Sequence, residues 1–139
     1  MGIPARITPG LVTNDHVALL SAVSLLSGVA ATLATGPLND VGPYLLPGYV
    51  SGVTNNLEIT PASGGTTITG LDATGVAATA IFFTVLIRNR STVDTLIFTH
   101  LGAGSLSGNQ FSNMNGASVS VPPLGAARCT YINNKWQFA

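Results

Sequence analysis

Ala126-Ala127-Arg128-Cys129-Thr130-Tyr131-Ile132, then Asn133-Asn134, then Lys135-Trp136-Gln137-Phe138-Ala139, is the stretch whose reading decides the fold. Residues 126–132 alternate in polarity, the period of a strand with one buried face. Asn133-Asn134 reads as a two-residue hairpin loop, because asparagine tolerates the positive φ such a turn requires. Residues 135–139 return as the partner strand. Upstream, Ala117–Val121 alternates and stops at Pro122-Pro123, and Gly102–Gly116 is a long Gly/Ser/Asn loop anchored by Leu106 and Phe111. Asp94–His100 is expected to pair antiparallel with Ala80–Arg88, an apolar run that reads as a central strand buried on both faces. Asn89-Arg90-Ser91 is the turn between them. Thr66–Leu71 and Asn56–Thr60 complete the strand candidates. Short strands with regular turn signals predict a mainly β chain: a small antiparallel β-sandwich or barrel, with an N-terminal arm and short helix. The expected inward set is Leu57, Ile59, Ile68, Leu71, Phe82, Leu86, Leu96, Phe98, Phe111, Val119, Val121, Tyr131 and Trp136.

Composition agrees. A chain of 139 residues holds one domain of ordinary size with a short appendage. Five Lys/Arg balance five Asp/Glu, so the basic surplus that nucleic-acid binding requires is missing. Only 7% of residues are charged, against about 25% in an average soluble domain. In their place stand 16 Thr, 11 Ser, 10 Asn and 16 Gly. This excludes a charge-solubilised helical protein, a charged disordered tail and a disulfide scaffold. It suits a Thr-rich β protein whose surface is neutral or covered by partners. Cys129 is the sole cysteine, so no intrachain bridge or cysteine-based zinc site can form. We read it as a small buried hydrophobe.

Val17–Thr35 runs 19 residues without a charge, and three readings compete. A transmembrane span needs about 20 apolar residues, but Ser21, Ser24, Ser27, Gly28, Thr32 and Thr35 dilute this one and no Lys/Arg cluster flanks it. A signal peptide would use Arg6 as its basic region. The third reading is a helix capped by Asn14 or Asp15. Val12, His16, Leu19, Val23, Leu26, Ala30 and Leu33 are then spaced 4, 3, 4, 3, 4, 3, the seam of a coiled coil. Such a stripe must bury against its own domain or against other copies of the chain. On the second alternative, His16, Leu19, Val23, Leu26, Ala30 and Leu33 are the oligomerisation residues. Gly36-Pro37 ends the helix. The expected organisation is an arm and helix for attachment and oligomerisation (1–36), a Gly/Pro linker (37–54) and an antiparallel β domain (55–139).

No enzyme constellation is legible. His16 and His100 are the only imidazoles, and Asp15, Asp40, Glu58, Asp72 and Asp94 are scattered along the chain. His100 ends a strand, where a hydrogen bond closing the following loop is its expected role. Gly102-Ala103-Gly104-Ser105 lacks the lysine and helix of a phosphate loop. No catalytic residue, cofactor or metal site is expected. The 102–116 loop is the candidate ligand loop, since Asn109, Gln110, Asn113 and Asn115 offer amides suited to sugars. Tyr131 and Trp136 are expected in the core or a subunit interface.

One succession of motifs resembles a known domain. Ile87-Arg88-Asn89-Arg90-Ser91, then Leu96-Ile97-Phe98-Thr99-His100, Phe111, Gly116–Gly125 with Pro122-Pro123-Leu124-Gly125 at its end, and finally Tyr131 and Trp136 look like a small β domain of tailed-phage virion proteins. The likeness spans about residues 55–139. Here the turn carries two prolines, and Leu101 stands where an acidic residue often follows the histidine. The resemblance implies a structural virion protein on the capsid exterior, a decoration or head-fibre protein and commonly a homotrimer. Its implied partners are further copies of itself and the major capsid protein or another virion protein. Two alternatives remain: a glycan-binding, receptor-recognising tip of a head or tail fibre, and a small membrane-anchored protein using residues 17–35.

Overall fold

The computed structural model describes residues 28–79 and 82–138. The 126–138 hairpin forms as the alternation requires. Strands β7 (Ala126–Ile132) and β8 (Lys135–Phe138) pair antiparallel, and Asn133 and Asn134 both take positive φ, 53° and 59°. Around the hairpin are β1 (Gly28–Thr32), β2 (Asn56–Thr60), β3 (Thr66–Ile68), the short helix α1 (Thr74–Thr79), β4 (Phe83–Asn89), β5 (Leu96–Phe98) and β6 (Val119–Val121). They build two sheets, one of five strands in the order β1-β2-β4-β7-β8 and one of three in the order β3-β5-β6. The molecule is mainly β and sandwich-like, with one core shared between the layers.

The pairing is mixed rather than purely antiparallel. β1–β2, β2–β4 and β3–β5 run parallel, while β4–β7, β5–β6 and β7–β8 run antiparallel. The expected pairing of 94–100 with 80–88 is corrected here. β5 lies in the smaller sheet, and β7 takes the place beside β4. β4 is the middle strand of its sheet, but only one face is closed. Val85, Ile87 and Asn89 are buried, Leu86 is half-covered, and Arg88 and Phe82 are exposed. Phe82 and Leu86 therefore leave the expected inward set, and Val119 is only partly buried. The other ten members are buried.

Two larger corrections concern the first third of the described chain. The expected helix through Ala30 and Leu33 is absent there. Gly28–Thr32 is a strand that points Val29 and Ala31 toward the core, and Leu33 is buried in it. Small residues carry little periodicity, so this run satisfied the helical spacing and the strand alternation alike. Residues 37–54 are part of the domain rather than a linker. Leu38 and Val41 bridge to Ile68 and Leu71 as a ragged extra strand on β3, and Val41, Leu46 and Tyr49 are buried. His16, Leu19, Val23 and Leu26 lie outside the described residues.

Buried aromatic rings join the layers. Phe98 of β5 packs on Phe138 of β8 with centroids 4.9 Å apart and meets Phe111 edge-on at 5.2 Å. Polar cross-ties fix the register. Asn89, at the end of β4, is 2% exposed. Its amide nitrogen donates to the carbonyls of Asp94, Val121 and Pro122 at 2.8, 3.0 and 3.1 Å, and its Oδ1 accepts from Ser91 N at 2.9 Å. One side chain thereby ties the large sheet to the end of β6. Replacing it by alanine leaves buried carbonyls without donors, at about 1–3 kcal/mol for an unsatisfied group. We expect Asn89→Ala to lower unfolding stability by about 2–4 kcal/mol in urea titrations. A change within about 0.5 kcal/mol would show that water replaces these bonds freely.

Candidate functional site

The ragged strand at 38–41 turns at Asp40, which has φ 46°, and runs into Gly42-Pro43-Tyr44-Leu45-Leu46-Pro47. Leu46 N and Leu45 N donate back to Gly42 O, closing one tight turn. This turn buries Leu46 and throws Tyr44 outward, leaving its ring 94% exposed. The base of the ridge is anchored. Tyr49 Oη and Ser51 Oγ both donate to the carbonyl of Asp72, at 2.6 and 3.0 Å.

Tyr44 and Leu45 separate two hollows that differ in charge. One, of about 460 Å³, lies along β1 and is lined by Ala30, Thr32, Leu33, Ala34 and Pro47, with no charged group. The other, of about 330 Å³, holds two carboxylates and is lined by Asn39, Asp40, Asp72, Thr74, Leu106 and Asn109. Its carboxylates are engaged on one oxygen each. Asp40 Oδ1 accepts from Leu106 N at 2.8 Å and from Asn109 Nδ2 at 2.9 Å. Asp72 Oδ1 accepts from Thr74 N at 3.0 Å and Thr74 Oγ1 at 2.6 Å. Among the described residues, no three His, Cys, Asp or Glu gather as a metal cluster.

The neutral hollow adjoins an open sheet edge. β1 is the outermost strand of its sheet among the described residues, pairing only with β2. Leu33 N donates to Thr60 O, so by strand alternation the backbone groups of Ala30 and Thr32 point away from β2. An edge of this kind is a template for another chain unless it is charged, bulged or covered. Here it carries no charge, no proline and no bulge. It offers an apolar floor and an exposed tyrosine instead.

The loop residues expected to meet a ligand also make internal hydrogen bonds, while Asn113 Oδ1 is buried without a partner among the described residues. Asn109 is buried, and its Oδ1 also accepts from Ala73 N at 2.9 Å. Gln110 Nε2 donates to the carbonyls of Gly102 and Ser105. Asn113 Nδ2 donates to Ala117 O, and Asn115 Oδ1 accepts from Ala117 N. The amides stiffen the loop. His100 does close it, with Nδ1 accepting from Asn113 N at 2.9 Å. Gly102 makes the loop's close approach to the smaller sheet, where a side chain would strike Thr69. Leu106, expected as an anchor, is exposed, and of the two expected anchors only Phe111 is buried.

Tyr44 and Leu45 were missed in the sequence reading. The available signal was a pair of large apolar residues bracketed by Pro43 and Pro47, in a segment otherwise read as turns. Of the uncharged run at 17–35, residues 28–32 are strand, and no helix among the described residues is long and apolar enough to cross a membrane. No family model matches the chain, and no curated protein or solved structure was found to match it.

Burial sets the chemistry of Cys129 and Tyr49. The Cys129 thiol is wholly buried, and desolvation pushes its pKa well above the ordinary 9.0. Desolvation does the same to the Tyr49 phenol, whose ordinary value is 10.0. Both stay neutral in the fold and ionise in the unfolded chain. Their contribution to stability is complete below the unfolded pKa values and is lost as pH rises from about 9. The melting temperature should fall progressively above about pH 9, and in Cys129→Ala the fall should begin nearer pH 10. A melting temperature flat to pH 11 would contradict both burials.

Proposed function

We propose that the chain is a structural subunit of a tailed-phage particle, a decoration or head-fibre protein on the capsid exterior. It assembles as a homotrimer and seats against shell neighbours through the β1 edge and the Tyr44 ridge. One observation carries the reading: among the described residues, an uncharged edge strand opens beside an apolar hollow, with an exposed tyrosine on its rim. A lone copy gains nothing from leaving these groups in water. Covering them by neighbouring copies stabilises a closed assembly without desolvating ions. Tyrosine is among the residue types enriched where binding energy concentrates at interfaces. The low charge of the chain and the likeness of residues 55–139 to phage virion domains support the same reading.

Light scattering on the full chain should report three copies per particle. Tyr44→Asp, placed where the ring touches solvent alone, should keep the circular dichroism spectrum. It should weaken association by about thirtyfold or more, corresponding to ~2 kcal/mol. Immunogold labelling with an antibody to the chain should decorate the outside of purified particles. A monomer at all concentrations would remove the assembly claim, and particles free of label would remove the virion claim.

A further inference from the structure

The open face of the five-stranded sheet holds a second site, distinct from the ridge. One row crosses four strands in register: Gly28 on β1, Asn56 on β2, Leu86 on β4 and Arg128 on β7. Beside it Thr84 and Thr130 share a hydrogen bond of 2.9 Å between their hydroxyl oxygens. Asn55, Asn56, Thr84, Leu86 and Arg128 enclose a hollow of about 220 Å³, room for a single small ring rather than a drug-sized body. The absent side chain of Gly28 keeps one flank open. A Cβ there would stand 3.6 Å from Asn56 Nδ2.

One buried acceptor in this hollow lacks a partner, and one exposed cation is free to take one. The Arg128 side chain is exposed and makes no hydrogen bond or ion pair with any described residue, whereas Arg90 nearby is paired with Glu58. Asn56 Oδ1 is buried and receives no hydrogen bond, an arrangement that costs about 1–3 kcal/mol unless a donor arrives. The terminal amide torsion of asparagine is soft, and Asn56 lines the hollow.

We propose that this hollow binds an acidic sugar, a hexuronate-type unit of a surface glycan. The guanidinium takes the carboxylate, a geometry arginine favours. A ring hydroxyl donates to Asn56 Oδ1, the Asn55 amide meets a second hydroxyl, and the C–H face lies on Leu86. A bare anion fits less well. Acetate and phosphate satisfy Arg128 but bring no hydroxyl donor on an apolar frame. The site does not rest on the assembly reading, since its residues lie on the outward face of the sheet within one subunit.

The test is a ¹⁵N chemical-shift titration of the full chain with methyl β-glucuronide, methyl β-glucoside and acetate. The glucuronide should bind with Kd on the order of 1–10 mM, a range ordinary for one sugar ring. It should shift the amides of Asn55, Asn56 and Arg128, while the glucoside and acetate bind about tenfold more weakly or less. Arg128→Gln should cost about tenfold with the spectrum otherwise preserved. Arg88→Gln, on the same face but outside the hollow, should change nothing. Absence of glucuronide shifts, equal binding of acetate, or binding indifferent to Arg128→Gln would each overturn the site. None of these outcomes bears on trimer formation.

Discussion

The indole of Trp136 holds the two layers and their outworks together. The residue is fully buried, and its ring meets Tyr131 edge-on with centroids 5.0 Å apart. Its single polar side-chain atom is satisfied, with Nε1 donating to Leu71 O at 2.8 Å. Its backbone does as much. Trp136 N donates to Gln110 O, and Trp136 O accepts from Ser112 N. One residue of β8 thus fixes the 102–116 loop and the end of the smaller sheet at once. From Leu71 the constraint passes to Asp72, whose carbonyl receives Tyr49 Oη and Ser51 Oγ, and so to the turn that carries Tyr44. An indole N–H buried without an acceptor would be costly. The position of Leu71, and of what hangs from it, therefore follows from where the tryptophan packs.

Charge is separated across this frame. The second hollow beside the ridge holds Asp40 and Asp72, and the open sheet face carries Arg88 and Arg128 with Glu58 tied to Arg90. Between them the β1 edge and its hollow are neutral. In a chain with five charges of each sign, such placement gives each surface its own character. The neutral surface suits burial against copies of the chain, and the arginine-bearing face suits an anion. The two proposals accordingly rest on different residues and can fail separately.

Much of the fold was legible, because alternation and turn chemistry coincide in the 126–138 hairpin and the aromatic residues mark its inward face. Pairing was less legible. Adjacency suggested that 94–100 returns along 80–88, yet β5 joins β3 in the other sheet, a long-range choice that local pattern does not encode. β1 was hidden because Gly28, Ala30 and Ala31 carry too little volume to distinguish a helical stripe from a strand face. The 37–54 segment was hidden because its breakers are conspicuous and its buried Val41, Leu46 and Tyr49 are spread among them. For the candidate site, composition pointed to the loop amides; Gln110, Asn113 and Asn115 bond to backbone of the loop and its end, and Asn109 ties the loop to Ala73 and Asp40. Arg128 and Asn56 sit on strands, where alternation pointed to a core, while a further buried oxygen without a partner, Asn113 Oδ1, lies in the loop itself.

The central claim is that neighbouring copies cover the open edge of β1. Native-state hydrogen exchange at Ala30 and Thr32, whose amides point away from β2, addresses it most directly. The account predicts strong protection at high protein concentration that fades on dilution, while the amides of Val85 and Ile87 in β4 stay protected throughout. Rapid exchange at Ala30 and Thr32 at every concentration would contradict it.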